Sequence, residues 1–590
     1  MEFHCEMCYH QIRKKVCYSA AVYGRKGDTM GTYLNPGKQN FQMAVNSEIF
    51  VDKSRMIRYL NTIINTNQRF VSVSRPRRFG KTMAADMVCA YYDREADSRA
   101  MFQSLKIAGC LPEEEEEREE SGPSWDAYLG RFDVIRIVMT KFFKKNVTVE
   151  NALAAMQRFI IRDFKKTYPD ADYFDEGDLL QTIEDVYSEN GRQLVIVIDE
   201  WDALFRVRRE DKEGQTEYLD FLRDLLKDNN HIALAYMTGI LPIKKYGQHS
   251  ALNMFDEYSM IQPMQLAAYT GFTEDEVGDL CRRYGRDYQK IKDWYDGYEL
   301  SDVLPPDPDH KMYYEMGHVP PANRYALYSP LSVVNAIRTG HIRNYWNKTE
   351  TYEALAEYIR RDYDGLKEAV ALLMDGGRLR IDTSTYQNDM TTFAGRDDIL
   401  SLLIHLGYLG YEEESSRVFI PNREILDEFR TSTKFGEWID TMKSFEISRD
   451  LLKATWAGDA DKVAELIEKA HNRAGNKTYH DESALSYAVR YAYYAAEKYY
   501  TTIVELDSGK GYADIVYLPA PGYPDKPVLL IELKYEKTAM GAISQIKRQG
   551  YPERLEHYKG NILMVGINYN REIRSGSPEY KHHNCRIERA

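Results

Sequence analysis

The chain of 590 residues is poor in cysteine and has no long apolar segment. Its seven cysteines are scattered, which excludes a disulfide framework and is typical of a reducing compartment, so we expect a cytoplasmic protein. No run approaches the roughly 20 apolar residues that span a bilayer, and the first residues lack a signal-peptide pattern, so we expect no membrane partner. A chain of this length exceeds one hydrophobic core and predicts several domains.

The chain also lacks an excess of positive charge, because its 78 Lys and Arg are outnumbered by 91 Asp and Glu and the formal net charge at pH 7 is -13. This net charge disfavours a protein that coats nucleic acid with its whole surface, since such binding neutralises phosphates with many Lys and Arg side chains. An acidic run at residues 113–120 carries part of the charge and is typical of a solvated insertion. From residue 541 to residue 590 Lys and Arg outnumber Asp and Glu. Any contact with nucleic acid is therefore expected to be local and C-terminal.

Three charged residues near the C-terminus have the spacing of a metal-dependent phosphodiesterase site. Asp514 lies in the apolar pattern of one strand, and Glu532 and Lys534 follow an apolar run that predicts the next strand. Because side chains alternate along a strand, Glu532 and Lys534 share one face. The carboxylates are suitable ligands for Mg²⁺ or Mn²⁺, and the ammonium can orient water or offset phosphate charge. The plainer interpretation is a solvated Glu–Lys pair on an edge strand.

A second phosphate-binding pattern lies around residue 80, where a predicted strand breaks into a loop and then enters a helix. Gly80 allows the backbone to approach a phosphate, Lys81 reaches the β and γ phosphates of ATP, and Thr82 can bind Mg²⁺. Arg75 stands where the general P-loop pattern has its first glycine. Together with Arg77 and Arg78 this residue is expected to add positive charge beside the phosphates; the plainer interpretation is a chance match.

A continuously apolar run at residues 194–198 predicts a strand buried on both faces of a parallel sheet. It ends at Asp199, which we expect to hold the water shell of Mg²⁺, and Glu200, which we expect to polarise the attacking water. A later predicted strand ends at Thr238, where a hydroxyl can sense the γ-phosphate. A further predicted strand at residues 134–138 lies between the loop at residue 80 and the strand that ends at Asp199. This order predicts an additional-strand ATPase that binds ATP.

Short motifs elsewhere carry a family resemblance. Asp514, residues 532–534 and the predicted helix at residues 543–547 resemble the PD-(D/E)XK nuclease superfamily. Six other motifs lie at residues 35–37, 50–54, 75–82, 198–202, 271–273 and 294–298. With these motifs the chain resembles bacterial AAA-ATPase-like proteins that carry a C-terminal PD-(D/E)XK nuclease domain, a family in which Arg at position 75 is usual. The resemblance implies a nucleotide-binding module joined to a nuclease module. It also implies that Glu482, on the helix before the triad, and Gln545, on the helix after it, lie at the margin of the nuclease site.

The predicted fold is a multidomain α/β protein with a P-loop additional-strand ATPase core, a helical lid with a winged-helix-like region, and a C-terminal PD-(D/E)XK nuclease-like α/β domain. The expected parts are an N-terminal tail, the ATPase-like domain, the lid with the winged-helix-like region, a helical connector and the nuclease-like domain, at residues 1–30, 31–270, 271–434, 435–480 and 481–590. The winged-helix-like region has an acidic turn, Glu412 to Glu414, that would repel phosphate. We therefore expect a protein partner there.

The favoured hypothesis is an ATP-binding, ATP-hydrolysing protein whose metal-dependent nuclease domain hydrolyses nucleic-acid phosphodiesters under the control of the nucleotide. The alternative is a nucleotide-regulated interaction or nucleic-acid-binding protein whose nuclease fold does not cut. A kinase-like phosphotransferase would leave the C-terminal third unexplained. DNA or RNA as substrate, endo- or exonuclease action and the oligomeric state stay open, and Lys244 and Lys245 are only weak stand-ins for an arginine finger.

Overall fold

The structure is a computed structural model that describes residues 31–109, 123–243, 252–303, 322–346, 351–360, 363, 365–434, 438–473, 482–507, 512–550, 555, 561–570 and 582–590. The predicted tail at 1–30, the acidic run at 113–120, Lys244 and Lys245 lie outside these residues. The chain divides into two compact units. The first comprises Met1–Phe70, Thr82–Trp201 and Lys212–Met237, and the second comprises Val71–Lys81, Asp202–Asp211 and Thr238–Ala590.

A five-stranded sheet lies in the N-terminal half. Its strands are β1 (Phe70–Ser74), β2 (Asp133–Val138), β3 (Leu194–Asp199), β4 (Ile232–Gly239) and β5 (Asp256–Tyr258). The order across the sheet is β2-β3-β4-β1-β5, and the pairs β2–β3, β3–β4 and β1–β5 are parallel. β1, β3 and β4 are buried along their whole length, as expected for a sheet that is covered on both faces. The strand β4 between β1 and β3 is the predicted additional strand.

Local signals explain where several helices of this half begin and end. Thr148 accepts a hydrogen bond from Asn151 N–H and caps α5, and Asp178 caps α6 in the same way. α6 ends at Gly191, whose φ of +66° suits glycine. The helices are α1 (Gln39–Val45), α2 (Met56–Ile63), α3 (Lys81–Tyr92), α4 (Arg99–Phe102), α5 (Val149–Thr167), α6 (Leu179–Asn190), α7 (Ala203–Val207) and α8 (Lys212–Leu226).

The middle segment, predicted to be a helical lid, contains seven α-helices among its described residues. They are α9 (Glu274–Tyr284), α10 (Tyr288–Tyr295), α11 (Pro330–Thr339), α12 (Thr351–Arg360), α13 (Leu366–Met374), α14 (Arg396–Leu406) and α15 (Arg423–Ser432). A small antiparallel sheet of order β6-β8-β7 was not predicted; it comprises β6 (Phe272–Thr273), β7 (Tyr298–Val303) and β8 (Ala322–Tyr328).

The winged-helix-like region has the predicted order of helix, strand, turn and strand. After α14 come β10 (Gly410–Glu412) and β11 (Arg417–Phe419), and β11 also pairs with β9 (Leu379–Arg380). The acidic turn is paired within the chain, because Arg378 lies 3.2 Å from Glu412 and Arg324 forms an ion pair with Glu414. Part of the charge that was expected to repel phosphate is therefore compensated. The protein partner stays a prediction.

The C-terminal part is built on a mixed five-stranded sheet of order β12-β13-β14-β15-β16. β14 and β15 are parallel and are joined through α19, whereas the other neighbours are antiparallel. The elements are α16 (Trp438–Ala457), α17 (Ala460–Arg473), α18 (Glu482–Ala492), β12 (Tyr500–Asp507), β13 (Tyr512–Pro519), β14 (Val528–Tyr535), α19 (Ala539–Gln549), β15 (Ile562–Tyr569) and β16 (His583–Arg589).

Each face of this sheet is covered by different helices. Ile531 and Leu533 belong to a core with Leu485 of α18 and Leu466 of α17. The opposite face packs against Ile543 and its neighbours on α19. Gly566 of β15 allows α19 to come close, since a Cβ there would lie 2.5 Å from the carbonyl oxygen of Ala539. None of the described helices combines the length and apolarity needed to cross a membrane.

Candidate functional site

Asp514, Glu532 and Lys534 meet around the backbone of Leu533. Asp514 Oδ2 accepts a hydrogen bond from Leu533 N–H at 2.7 Å. Lys534 Nζ donates to the carbonyl oxygen of Leu533 at 2.8 Å and to Glu532 Oε1 at 3.0 Å. The antiparallel pairing of β13 with β14 sets this proximity: Ile515 lies opposite Ile531, so Asp514, which precedes Ile515, comes beside Glu532, which follows Ile531.

The burial of this triad argues against the solvated edge pair. β14 lies in the centre of its sheet, and Glu532 and Lys534 are only 1% and 9% exposed. Removing two charges from water costs several kcal/mol per ion, and their attraction offsets that cost only in good geometry. The oxygens of Asp514, Glu532 and the Leu533 carbonyl form a hard donor set, which suits Mg²⁺ or Mn²⁺. The residues present therefore fit such an ion.

Asn568 is a further polar residue beside the triad that the sequence did not reveal. It pairs with Lys534 across the parallel strands and therefore faces the same side of the sheet. Its Nδ2 donates to the carbonyl of Lys537 at 2.7 Å, and its buried Oδ1 has no hydrogen-bond partner among the described residues. The sequence signal that could have revealed Asn568 is a polar residue inside the otherwise apolar run of β15.

The two residues expected at the margin of this site are less well defined by the structure. Glu482 is the first residue of α18, and its side chain lies outside what the structure describes. α18 packs on the face that carries Leu533, which is opposite to the face of Glu532. Gln545 is half-buried on α19, the helix that covers the face of Glu532. Their roles stay predictions.

The phosphate-binding loop has the sharp turn that its sequence requires. Arg78 and Gly80 adopt left-handed backbone conformations with φ of +70° and +87°, and α3 begins at Lys81. Lys81 Nζ donates to the carbonyl oxygens of Arg75 and Pro76 at 2.9 and 2.8 Å. The ammonium of Lys81 thus lies over the loop, where a bound phosphate could replace these carbonyls as its acceptor.

The guanidinium of Arg75 does not take the position beside the phosphates that the sequence predicted. It is 0% exposed, and its Nη1 donates to the carbonyl of Tyr258 at 2.7 Å. Its backbone N–H donates to the carbonyl of Gly239 at 3.1 Å. These contacts make Arg75 an internal support of the loop rather than a charge facing a phosphate in this conformation. Arg77 and Arg78 are half-buried, and their contact with phosphate stays a prediction.

The acidic end of β3 lies in a charged network of the first unit. Asp199 is 1% exposed, and Arg136 Nη2 of β2 lies 3.8 Å from Asp199 Oδ2 and 2.7 Å from Asp86 Oδ1. Burial raises the pKa of Asp86, and Arg136 opposes that rise. Arg136 was missed by the sequence analysis, although a cation inside an otherwise apolar strand is a usable signal. Arg136 holds the carboxylate of Asp86 close to that of Asp199, the proposed Mg²⁺ ligand.

Glu200 and Thr82 are accessible, whereas Thr238 is buried. Glu200 has a φ of +55°, which is unusual for a residue with a side chain and is found at sites under functional constraint. Asp202, also missed, accepts hydrogen bonds from Ile240 N–H and Leu241 N–H, both at 3.1 Å. Its carboxylate therefore holds the backbone that follows β4.

Two motifs beyond the sheet support the phosphate-binding loop. Gly271 N–H donates to the carbonyl of Phe79 at 2.9 Å, and a Cβ at Gly271 would lie 3.2 Å from the Phe79 ring. Tyr298 packs edge-on against Phe79 at 5.3 Å and donates its hydroxyl to the carbonyl of Gly407 at 2.6 Å. The motifs at residues 271–273 and 294–298 therefore hold Phe79 of the predicted phosphate-binding loop in place.

Glu424 of α15 is a buried carboxylate in the same region. Its Oε2 accepts from Ser332 Oγ at 2.7 Å, and its Oε1 accepts from Tyr345 N–H at 2.6 Å and Trp346 N–H at 3.1 Å. Burial raises the pKa of Glu424 to about 7, against these hydrogen bonds, which lower it. The folded state therefore binds this proton more tightly than the unfolded chain does.

Stability from Glu424 is expected to be fully present below pH 4.5, the ordinary pKa, and to be lost as the pH rises to about 7. The loss in free energy of unfolding is roughly 3 kcal/mol, and Glu424→Gln is expected to remove it. Urea unfolding near pH 5 and near pH 8 measures this difference. Exposed Glu413→Gln is the matched control, and equal pH dependence in both variants would contradict the expectation.

Two family models match separate parts of the chain. Residues 36–248 match a family model described as a predicted AAA-ATPase, and residues 485–576 match a model of the PD-(D/E)XK nuclease superfamily. No curated protein matched the sequence.

Solved structures with detectable likeness include two proteins of Aeropyrum pernix. The ORC2 protein in its ADPNP–ADP complexes is 13% identical, covers 67% of this chain and 97% of its own, and has a TM-score of 0.27. The ORC1 protein in complex with DNA is 13% identical, the match covers 69% of this chain and 98% of the ORC1 chain, and the TM-score is 0.23. The family matches and the two sheets together identify an α/β chain with an AAA-ATPase-like domain and a C-terminal PD-(D/E)XK nuclease domain.

Proposed function

We propose that the chain binds and hydrolyses ATP and that its C-terminal domain cleaves nucleic-acid phosphodiester bonds in the presence of Mg²⁺ or Mn²⁺. The observation that carries the nuclease proposal is the convergence of Asp514, Glu532 and Lys534 on Leu533. Burying Glu532 and Lys534 at the centre of a sheet is costly, and a metal-dependent site explains why they stand there beside the half-buried Asp514.

The proposed chemistry assigns a task to each group. Asp514, Glu532 and the Leu533 carbonyl would hold the ion, which supplies a Lewis acid and an activated water when bound. Lys534 is placed to donate to a phosphate oxygen or to the attacking water once its bonds to Glu532 and Leu533 are exchanged. Asn568 Oδ1 is an acceptor on the same face and can orient a water there.

The ATP proposal rests on the loop before α3 and on the acidic end of β3. Lys81 would leave the carbonyls of Arg75 and Pro76 for the β and γ phosphates, and Thr82 and Asp199 would support Mg²⁺. Glu200 would orient the attacking water. We further propose that the bound nucleotide controls the nuclease domain, with nucleic acid as the partner of that domain.

Cleavage of mixed labelled DNA and RNA by the full chain tests the nuclease half directly. Each substrate is incubated with Mg²⁺, with Mn²⁺ or with EDTA, and with or without ATP. We expect cleavage that requires Mg²⁺ or Mn²⁺, disappears in EDTA and changes in rate when ATP is added. A chain that hydrolyses ATP but cuts neither substrate under any of these conditions would overturn the nuclease half alone.

A nucleotide-regulated protein that binds nucleic acid without cutting is the second candidate. One observation favours it: Lys534 Nζ already contacts Glu532 Oε1 and the Leu533 carbonyl, two of the atoms that would hold an ion. An ammonium in that place can replace the cation permanently. Nucleic-acid binding that is independent of Mg²⁺, with no product formed, would support this function instead.

A further inference from the structure

A separate cluster of titratable side chains lies between α17 and the start of β16. Glu468 and His471 are three residues apart on α17 and therefore lie on the same side of that helix. His582 and His583 stand where β16 begins. The three imidazoles are 3%, 8% and 0% exposed in chain order. We call these four residues the histidine cluster. It shares no residue with the proposed nuclease site at Asp514 and Glu532.

The carboxylate of Glu468 is the centre of the histidine cluster. Its Oε1 lies 2.8 Å from His582 Nδ1, and its Oε2 lies 2.7 Å from His583 Nδ1. The backbone N–H of His582 also donates to Oε2 at 3.1 Å. One possible ligand atom from each of Glu468, His471 and His582 lies within 4.8 Å of the other two. A carboxylate and two imidazoles thus converge, with a third imidazole behind the carboxylate.

These donors indicate which ion the cluster would bind. Imidazole nitrogens favour Zn²⁺ over Mg²⁺ or Ca²⁺, which prefer sets made of oxygen alone. In a tetrahedral zinc site, bonds of about 2.0–2.1 Å place the ligand atoms roughly 3.3 Å apart. Glu468 Oε1 and His582 Nδ1 are slightly closer than this, because a proton now links them. Small side-chain rotations would bring His471 within reach and replace that proton with the metal.

We propose that Glu468, His471 and His582 bind Zn²⁺ and that His583 orients the carboxylate through its hydrogen bond. Ligating carboxylates are commonly held by such outer hydrogen bonds. Three protein ligands leave the fourth position of a tetrahedral ion to a water molecule, and the burial of the imidazoles shields the site from bulk solvent. The metal would fasten α17 to β16, the last strand of the sheet. α17 already packs against this sheet through Leu466 and Ile467.

Zinc titration of the full chain, stripped of metal and monitored with a competing chelator, tests the proposal. We expect one tight site in the wild type, an affinity at least about 100-fold lower in His471→Gln, and a loss of 10- to 100-fold in His583→Ala. Zinc should raise the melting temperature of the wild type and not that of His471→Gln. Asp514→Asn is expected to keep the wild-type affinity, which separates this site from the proposed nuclease site.

Cobalt provides a readout that does not depend on a folded variant. Co²⁺ bound to the wild type should show the visible bands of a tetrahedral ion without a thiolate charge-transfer band, since the proposed ligands are nitrogen and oxygen. A thiolate charge-transfer band would assign the metal to cysteine ligands and overturn the proposal. Equal zinc affinity in wild type and His471→Gln, or no tight zinc binding in the wild type, would also overturn it.

Discussion

Replacing Asp514 by Asn is expected to abolish cleavage that depends on Mg²⁺ or Mn²⁺, with a loss of roughly 10³-fold or more. Asn has the same shape and keeps an oxygen for the Leu533 N–H, which now lies 2.7 Å from Asp514 Oδ2. The pairing of β13 with β14 should therefore persist. What is lost is one of the two negative charges that would hold the ion, and the cleavage rate of the full chain measures that loss.

The choice of Asn rather than Ala follows from the structure. Ala would leave the buried Leu533 N–H without its acceptor, at a cost of about 1–3 kcal/mol, and would mix a folding defect with a catalytic one. Asp525→Asn makes the same chemical change at an exposed position between β13 and β14 and serves as the control. If Asp514→Asn cuts at the wild-type rate, the reaction belongs to another site or to a contaminant.

Glu200→Gln is expected to slow ATP hydrolysis on the order of 10²-fold or more while ATP still binds. Glu200 follows the buried strand β3 directly, and its positive φ of +55° turns the chain away from the sheet at that point. Gln keeps the size of the side chain but cannot act as a base towards the attacking water. Phosphate release under saturating Mg-ATP measures the rate, and calorimetric titration measures the affinity.

Two further variants separate hydrolysis from binding. Lys81→Ala is expected to weaken ATP binding itself, because the ammonium that now contacts Arg75 and Pro76 is the group proposed to reach the phosphates. Glu210→Gln changes an exposed glutamate after α7 and should alter neither quantity. An unchanged turnover rate in Glu200→Gln would transfer the catalytic role to another residue or limit ATP to the role of a bound ligand.

The sequence alone determined the features that depend on local periodicity. Continuous apolar runs predicted β3 and β4, and alternation predicted that Glu532 and Lys534 share a face, because the side-chain period of a strand is two wherever that strand lies. The sheet β6-β8-β7 escaped prediction because β6 has only two residues and β8 mixes polar and apolar residues without a regular period. The pattern of Asp514, Glu532 and Lys534 was found because these residues are close together in the chain.

Tertiary structure alone decided which distant groups meet. The carbonyl of Tyr258 holds Arg75 across 183 residues, which turned an expected phosphate contact into a buried support. Glu468 meets His582 across 114 residues, and no spacing in the sequence announces that pair. Strand order placed β14 at the centre of its sheet, so that Glu532 became buried rather than solvated. Such contacts depend on strand register and on how connecting segments close, and neither is encoded by the pattern of neighbouring residues.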